Sequence, residues 1–96
     1  MSLFFIRHKH DAETCPAKDP QKGDMLLSHI SRTNAEKLGI NLKSEAVLDD
    51  QHTFVLILEA DKRRQVDQFM MPFRQAGPVE IWSASTCEVV VDRAGC

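Results

Sequence analysis

Between Arg7 and Cys15 the chain reads Arg-His-Lys-His-Asp-Ala-Glu-Thr-Cys, which sets two imidazoles, two carboxylates and a thiol close together. His8 and His10 lie two positions apart, so on an extended strand their side chains fall on the same face. Two neutral imidazoles beside a thiolate form a donor set suited to zinc, nickel, cobalt or copper. Asp11 and Glu13 then serve either as further ligands or as groups that orient a histidine from behind. The competing interpretation is a solvated turn at the end of a strand, because His-x-His is short and recurs without metal.

The other polar residues offer less. Cys15, Cys87 and Cys96 are odd in number and widely spaced with no Cys-x-x-Cys pair, which argues against a disulfide framework and a zinc ribbon. Cys87 has two readings. In the first turn of a tail helix, unpaired N–H groups lower its thiol pKa; as a small buried hydrophobe, the commoner fate of a free cysteine, it is inert. Cys96, the last residue, is expected to fray. No Ser-His-Asp arrangement, glycine-rich phosphate loop or His-Glu-x-x-His run is present. Glu59 and Asp61 fall at a strand-to-helix junction, where capping is the simpler role. Phe69, Met70, Phe73 and Trp82 either line a pocket or form plain core.

A chain of 96 residues has room for one core, so residues 1–96 are read as a single domain. A formal charge of -2 does not suit a nucleic-acid partner, and Lys62-Arg63-Arg64 sits beside acids as a solvated helix face would. The apolar run Leu3–Ile6 is too short for a signal peptide, and no later stretch is long enough to span a membrane. A cytoplasmic location with reduced thiols is therefore expected. A unit this small gains from burying one face in a partner, so a homodimer or higher homo-oligomer is expected too.

Several elements must position these groups. Residues 3–8 read as a first strand with Phe4, Ile6, His8 and His10 on one parity. Residues 11–23, with Pro16, Pro20 and Gly23, read as a long loop. Asp24 is the expected cap of a first helix carrying Met25, Leu26, Leu27, Ile30, Ala35 and Leu38, stopped by Gly39. His29 lies on the flank of that stripe and is expected to meet solvent. Residues 40–48 alternate as a half-buried second strand, Asp49-Asp50-Gln51 turn, and residues 52–59 form the strongest strand of the chain.

A second helix follows, capped by Asp61, with Val66, Phe69, Met70 and Phe73 at helical spacing. Pro72 is expected to kink it or end it early. Residues 79–82 form a short fourth strand. In the tail, Ser85-Thr86-Cys87-Glu88 fits a capping box while Val89-Val90-Val91 favours a strand, and a short helix is preferred.

The order β-α-β-β-α-β is the split-βαβ, ferredoxin-like plan. Right-handed crossovers then give an antiparallel α+β sheet of order 4-1-3-2 with both helices on one face. Strands one and three become antiparallel neighbours, which brings the start of strand three, His52, to the end where His8 and His10 lie. Cys15 leaves from the same end. His8, His10, His52 and Cys15 are therefore the expected metal ligands.

This layout resembles the dimeric α/β-barrel proteins, small ferredoxin-like subunits that pair sheet to sheet. The His-terminated first strand, and Leu58-Glu59-Ala60 leading into the second helix, are also similar to a small nickel-binding ferredoxin-like family, although Cys15 and the longer first loop depart from it. The resemblance to the dimeric barrels implies a second function. They include cofactor-independent monooxygenases and an isomerase, in which the same histidines would act as acid-base groups.

Overall fold

The computed structural model describes residues 1–96. Four strands form one antiparallel sheet: β1 (Ser2–Lys9), β2 (Asn41–Leu48), β3 (Thr53–Ala60) and β4 (Val79–Ala84). Their order is β2-β3-β1-β4, the expected ferredoxin-like arrangement of an α+β chain. In the central pair, His8 lies opposite Phe54, Ile6 opposite Leu56 and Phe4 opposite Leu58. These even positions face the helices, and all six side chains are buried.

The helices cover that one face. They are α1 (Pro20–His29), α2 (Arg32–Lys37) and α3 (Arg63–Arg74), with α4 (Cys87–Asp92) in the tail. α3 supplies Val66, Phe69, Met70 and Phe73 to the core, the stripe that its sequence spacing implies. α2 supplies Ala35, and Ile40 follows it into the same cluster.

The first helix departs from expectation at both ends. It starts at Pro20, because Asp19 rather than Asp24 caps it: the Asp19 carboxylate accepts from the Gln21 and Lys22 N–H groups. Proline at the first helical position loses no hydrogen bond and already has helical φ. Residues 11–23 are accordingly not one loop but two short 3-10 turns (Ala12–Thr14 and Pro16–Lys18) and the first turn of α1.

The expected single helix also breaks after His29. Ser31 Oγ donates to the Ser28 carbonyl at 2.8 Å and accepts from the Asn34 N–H, while Asn34 Nδ2 donates to the His29 carbonyl at 2.7 Å. Serine and asparagine here satisfy the backbone locally and so replace one helix with two. Gly39 ends α2 as expected. Its φ of +77° lets Ile40 N–H reach the Ala35 carbonyl and Gly39 N–H reach the Glu36 carbonyl, closing a Schellman motif.

Smaller differences have equally local causes. β2 is almost wholly exposed rather than half-buried, because it is the edge strand and carries a bulge between Leu42 and Ser44. α3 begins one residue after Lys62, whose N–H donates to Gln65 Oε1 at 2.9 Å; Asp61 is not the cap. It runs through Pro72 to Arg74, since a missing donor in the last turn costs only one bond. The tail is a helix, with Thr86 Oγ accepting from Val89 N–H, one position later than the Ser85 box implies. No helix is long and apolar enough to cross a membrane.

Candidate metal centre

β1 ends in the middle of the sheet, between β3 and β4, and its parity carries His8 and then His10 toward the helix side. Beyond the strand, the His10 N–H donates to the His52 carbonyl at 3.1 Å, which pins the β1 end to the β2–β3 turn. His52 holds φ at +48° and Asp50 at +61°, a left-handed conformation that histidine and aspartate tolerate better than branched residues. The two imidazoles meet edge to face, with centroids 5.4 Å apart and planes at 74°.

The chain then turns through the first 3-10 segment and returns Cys15 over the same edge. One ligand atom from each of His10, Cys15 and His52 lies within 4.8 Å of the other two. Donors on one tetrahedral ion stand about 3.3–3.7 Å apart, given metal bonds of 2.0–2.3 Å. Closure by about an ångström of side-chain rotation is therefore enough to engage an ion. The Gly77 backbone buttresses this corner from β4's side: a Cβ there would run into the Lys9 carbonyl oxygen and displace the strand end that carries His10.

His8 stands beside this trio but outside it. It is 2% exposed and packs edge-on against Phe73, with centroids 5.4 Å apart, and its ring lies 5.8 Å from that of His10. Nε2 of His8 and Nε2 of His10 are both buried without a hydrogen-bond partner. Burial pushes the His8 pKa below its ordinary value; the Phe73 carbonyl opposes this and the His10 charge adds to it. Burial also lowers the His10 pKa, with His52 acting in the same direction and Asp11 against it. Both rings are thus held neutral, the state in which imidazole binds a metal.

A cavity of about 270 Å³ opens in front of the four groups, its walls largely apolar through Leu26, Val47, Phe54 and Phe73. Pro16 and Ala17 from the second 3-10 turn, and Asp49 and Asp50 from the β2–β3 turn, complete it. Of the four pocket candidates in the sequence only Phe73 lines this cavity, while Phe69 and Met70 are core and Trp82 is exposed; for the other wall residues the only signal was the position of Asp49-Asp50-Gln51 next to His52.

The other candidates go elsewhere. Asp11 and Glu13 are exposed and outside the trio, although Asp11 acts on His10 through its charge. His29 does not meet solvent as expected: its Nε2 lies 2.7 Å from the Phe69 carbonyl oxygen and its ring stacks on Phe69 at 4.8 Å. Ending α1 directly over α3 forces that contact. Cys87 is exposed rather than buried, because α4 hangs from the sheet instead of entering the core, and Cys96 is exposed too.

No family model matches the chain, and no curated protein is similar to it. The resemblance to a nickel-binding family therefore gains no support here. Among solved structures, the chain is similar to an ACT domain protein from Streptococcus pneumoniae, at 17% identity and a TM-score of 0.44, over 88% of this chain and 90% of that one. A likeness of that size concerns the general arrangement of the chain and says nothing about its function.

Proposed function

We propose that this protein binds a divalent transition metal through His10, Cys15 and His52, with His8 beside the ion. The observation that carries the reading is the convergence of three donor atoms from separate segments within 4.8 Å of one another. Two nitrogens and a thiolate favour zinc, cobalt, nickel or copper over the hard cations, which prefer oxygen. The orphaned Nε2 of His10 supports it, because a buried polar atom without a partner is costly unless something binds it.

The test is calorimetric titration of zinc, nickel and copper into the wild type and a His10→Ala/His52→Ala variant. Tight binding in the first and loss of at least about a hundredfold in the second is expected, since even the groups behind a ligand contribute tenfold to a hundredfold. Equal affinities would overturn the reading.

The second reading, acid-base catalysis without a metal, draws on one observation. His8 is buried, held neutral and faces an apolar cavity, as a general base would be. A protein that takes up no metal but binds a small organic molecule in the 270 Å³ cavity would favour it.

The proposed partner is a second copy of the chain, docked on the open sheet face. Only 14 of 96 residues are buried, a small core for independent stability. That face presents Ile57 and Trp82, 39% and 44% exposed, beside Phe5. Arg7–Glu80 and Lys43–Glu59 ion pairs flank it, so a two-fold copy can set each sign against its opposite.

A further inference from the structure

α4 is the one helix that gives no side chain to the core or to its margin. It leaves the sheet at the end of β4, where Ala84 lies opposite Leu3, and none of its residues is buried. Both of its ends are nevertheless closed. Thr86 Oγ accepts from the Val89 N–H, and Arg93 donates to Ser85 Oγ and to the Gly95 carbonyl. A helix of six residues is too short to hold in water by itself, so its stability has to come from packing. Val89-Val90-Val91 sharpens the need, because β-branched side chains weaken a helix.

The outward face of α4 has a definite chemistry. At about 100° per residue, Glu88 and Asp92 share one face, Val89 and Val91 flank it, and Val90 lies opposite. Val90 is the residue partly turned toward its own chain, whereas Val89 and Val91 are 49% and 77% exposed. Neither acid belongs to an ion pair. The helix therefore presents unpaired carboxylates between two bare valines.

The open sheet face carries the complement. Ile57, Phe5 and Trp82 lie side by side across β3, β1 and β4. Around them Arg7, Lys9 and Lys43 outnumber Glu59 and Glu80, and Lys9 is in no ion pair. The Arg7 guanidinium sits 5.6 Å from the Trp82 ring centre, so positive charge borders the apolar middle of the face. The α4 of the same chain leaves Ile57 and Trp82 exposed.

We propose that α4 is the segment by which two copies of the chain hold each other. Each copy lays Val89 and Val91 on the apolar middle of the other's open sheet face, with Glu88 and Asp92 beside Arg7 and Lys9 of that copy. The arrangement is reciprocal, as a two-fold axis requires. It rests on the reading above that a second copy covers this face, and it names the segment that does so.

The test is sedimentation equilibrium of the full chain, with circular dichroism to check that each variant is folded. The wild type should dimerise more weakly as salt is raised, because exposed charges are then screened. Val91→Asp alters a side chain that solvent already reaches within one chain, so the monomer should fold as before. Its dimer should be weaker by at least about a hundredfold, since a buried valine is lost at both ends of the two-fold axis. Glu88→Lys/Asp92→Lys should weaken the dimer about tenfold at low salt and remove its sensitivity to salt. Adding Lys9→Glu to that variant should recover part of the loss.

Dimers of unchanged affinity in Val91→Asp and in Glu88→Lys/Asp92→Lys would overturn the role of α4. If Ile57→Lys still dissociated the wild-type assembly, the sheet-face reading would survive that result. A wild type that stays monomeric at every concentration defeats both.

Discussion

The His10 N–H donates to the His52 carbonyl at 3.1 Å while the two rings meet edge to face at 5.4 Å, so backbone and side chain join the same pair of residues. The pairing holds His52 at φ +48°. A left-handed residue other than glycine costs about 1–2 kcal/mol, and such strain gathers where a side chain must be aimed. His52→Gly should therefore stabilise the metal-free protein slightly, by about 0.5 kcal/mol after the greater freedom of glycine in the unfolded chain is subtracted. It should abolish metal binding at the same time. His52→Val should instead destabilise by about 1–2 kcal/mol. Urea unfolding of both variants reads the two signs, and destabilisation by His52→Gly would mean that the turn is not strained.

Stability should fall on mild acidification. His8 and His10 both have folded pKa values below the ordinary 6.5, chiefly through burial. Below about 6.5 the unfolded chain binds protons that the folded one refuses, so the stabilisation present above that pH is lost as pH falls through the folded values. Urea midpoints measured between pH 7.5 and roughly 4.5 should decline for the wild type, and less steeply for His8→Phe. Parallel curves for the two proteins would show that His8 is not held neutral.

Metal affinity should follow the same groups. Protons compete with the metal for the His10 imidazole, whose pKa burial holds below its ordinary value, so affinity for zinc should weaken as pH falls below about 6.5. Cys15→Ser should reduce zinc affinity steeply while keeping some nickel binding, because nitrogen donors remain and the soft sulfur is gone. Zinc binding that is indifferent to Cys15→Ser would place the thiol outside the coordination sphere.

Phe69 has no exposed surface and carries His29 stacked on it at 4.8 Å. Phe69→Ala should cost about 3–5 kcal/mol, the range for emptying a buried aromatic site. A loss below about 1 kcal/mol in denaturant titration would mean that α1 collapses into the space.

The open sheet face should govern assembly. Leu56 is 1% exposed and faces the helices, so Leu56→Lys breaks the core, whereas its neighbour Ile57 lies on the other face. Ile57→Lys and Trp82→Glu should each convert a dimer to a folded monomer of 10.9 kDa in light scattering. A wild type that is already monomeric at micromolar concentration would dispose of the pairing.

Much of the architecture was legible along the chain because period and punctuation are local. Alternating Phe4, Ile6 and His8, the Val66–Phe69–Met70–Phe73 stripe and the Gly39 stop each report a backbone geometry that neighbouring residues can set. From them the strand order followed through the handedness of crossovers, and with it the approach of His52 and Cys15 to the end of β1. Where local signals misled, the reason was equally local: Asp24 reads as the cap although Asp19 holds that place, and Ser31 and Asn34 break a helix that the apolar spacing alone would continue.

Only the tertiary structure decided which histidine belongs to which group. His8 and His10 share a parity and a chemistry, and nothing in a period of two distinguishes them. The difference lies in what packs against each ring: Phe73 of α3 closes edge-on over His8, while the β2–β3 turn delivers His52 and the first 3-10 segment delivers Cys15 to His10. The same holds for His29, which the sequence sends to solvent and the packing of α1 on α3 sends to Phe69. Burial, pKa and donor distance are properties of several segments at once, so they exist only after the chain has folded.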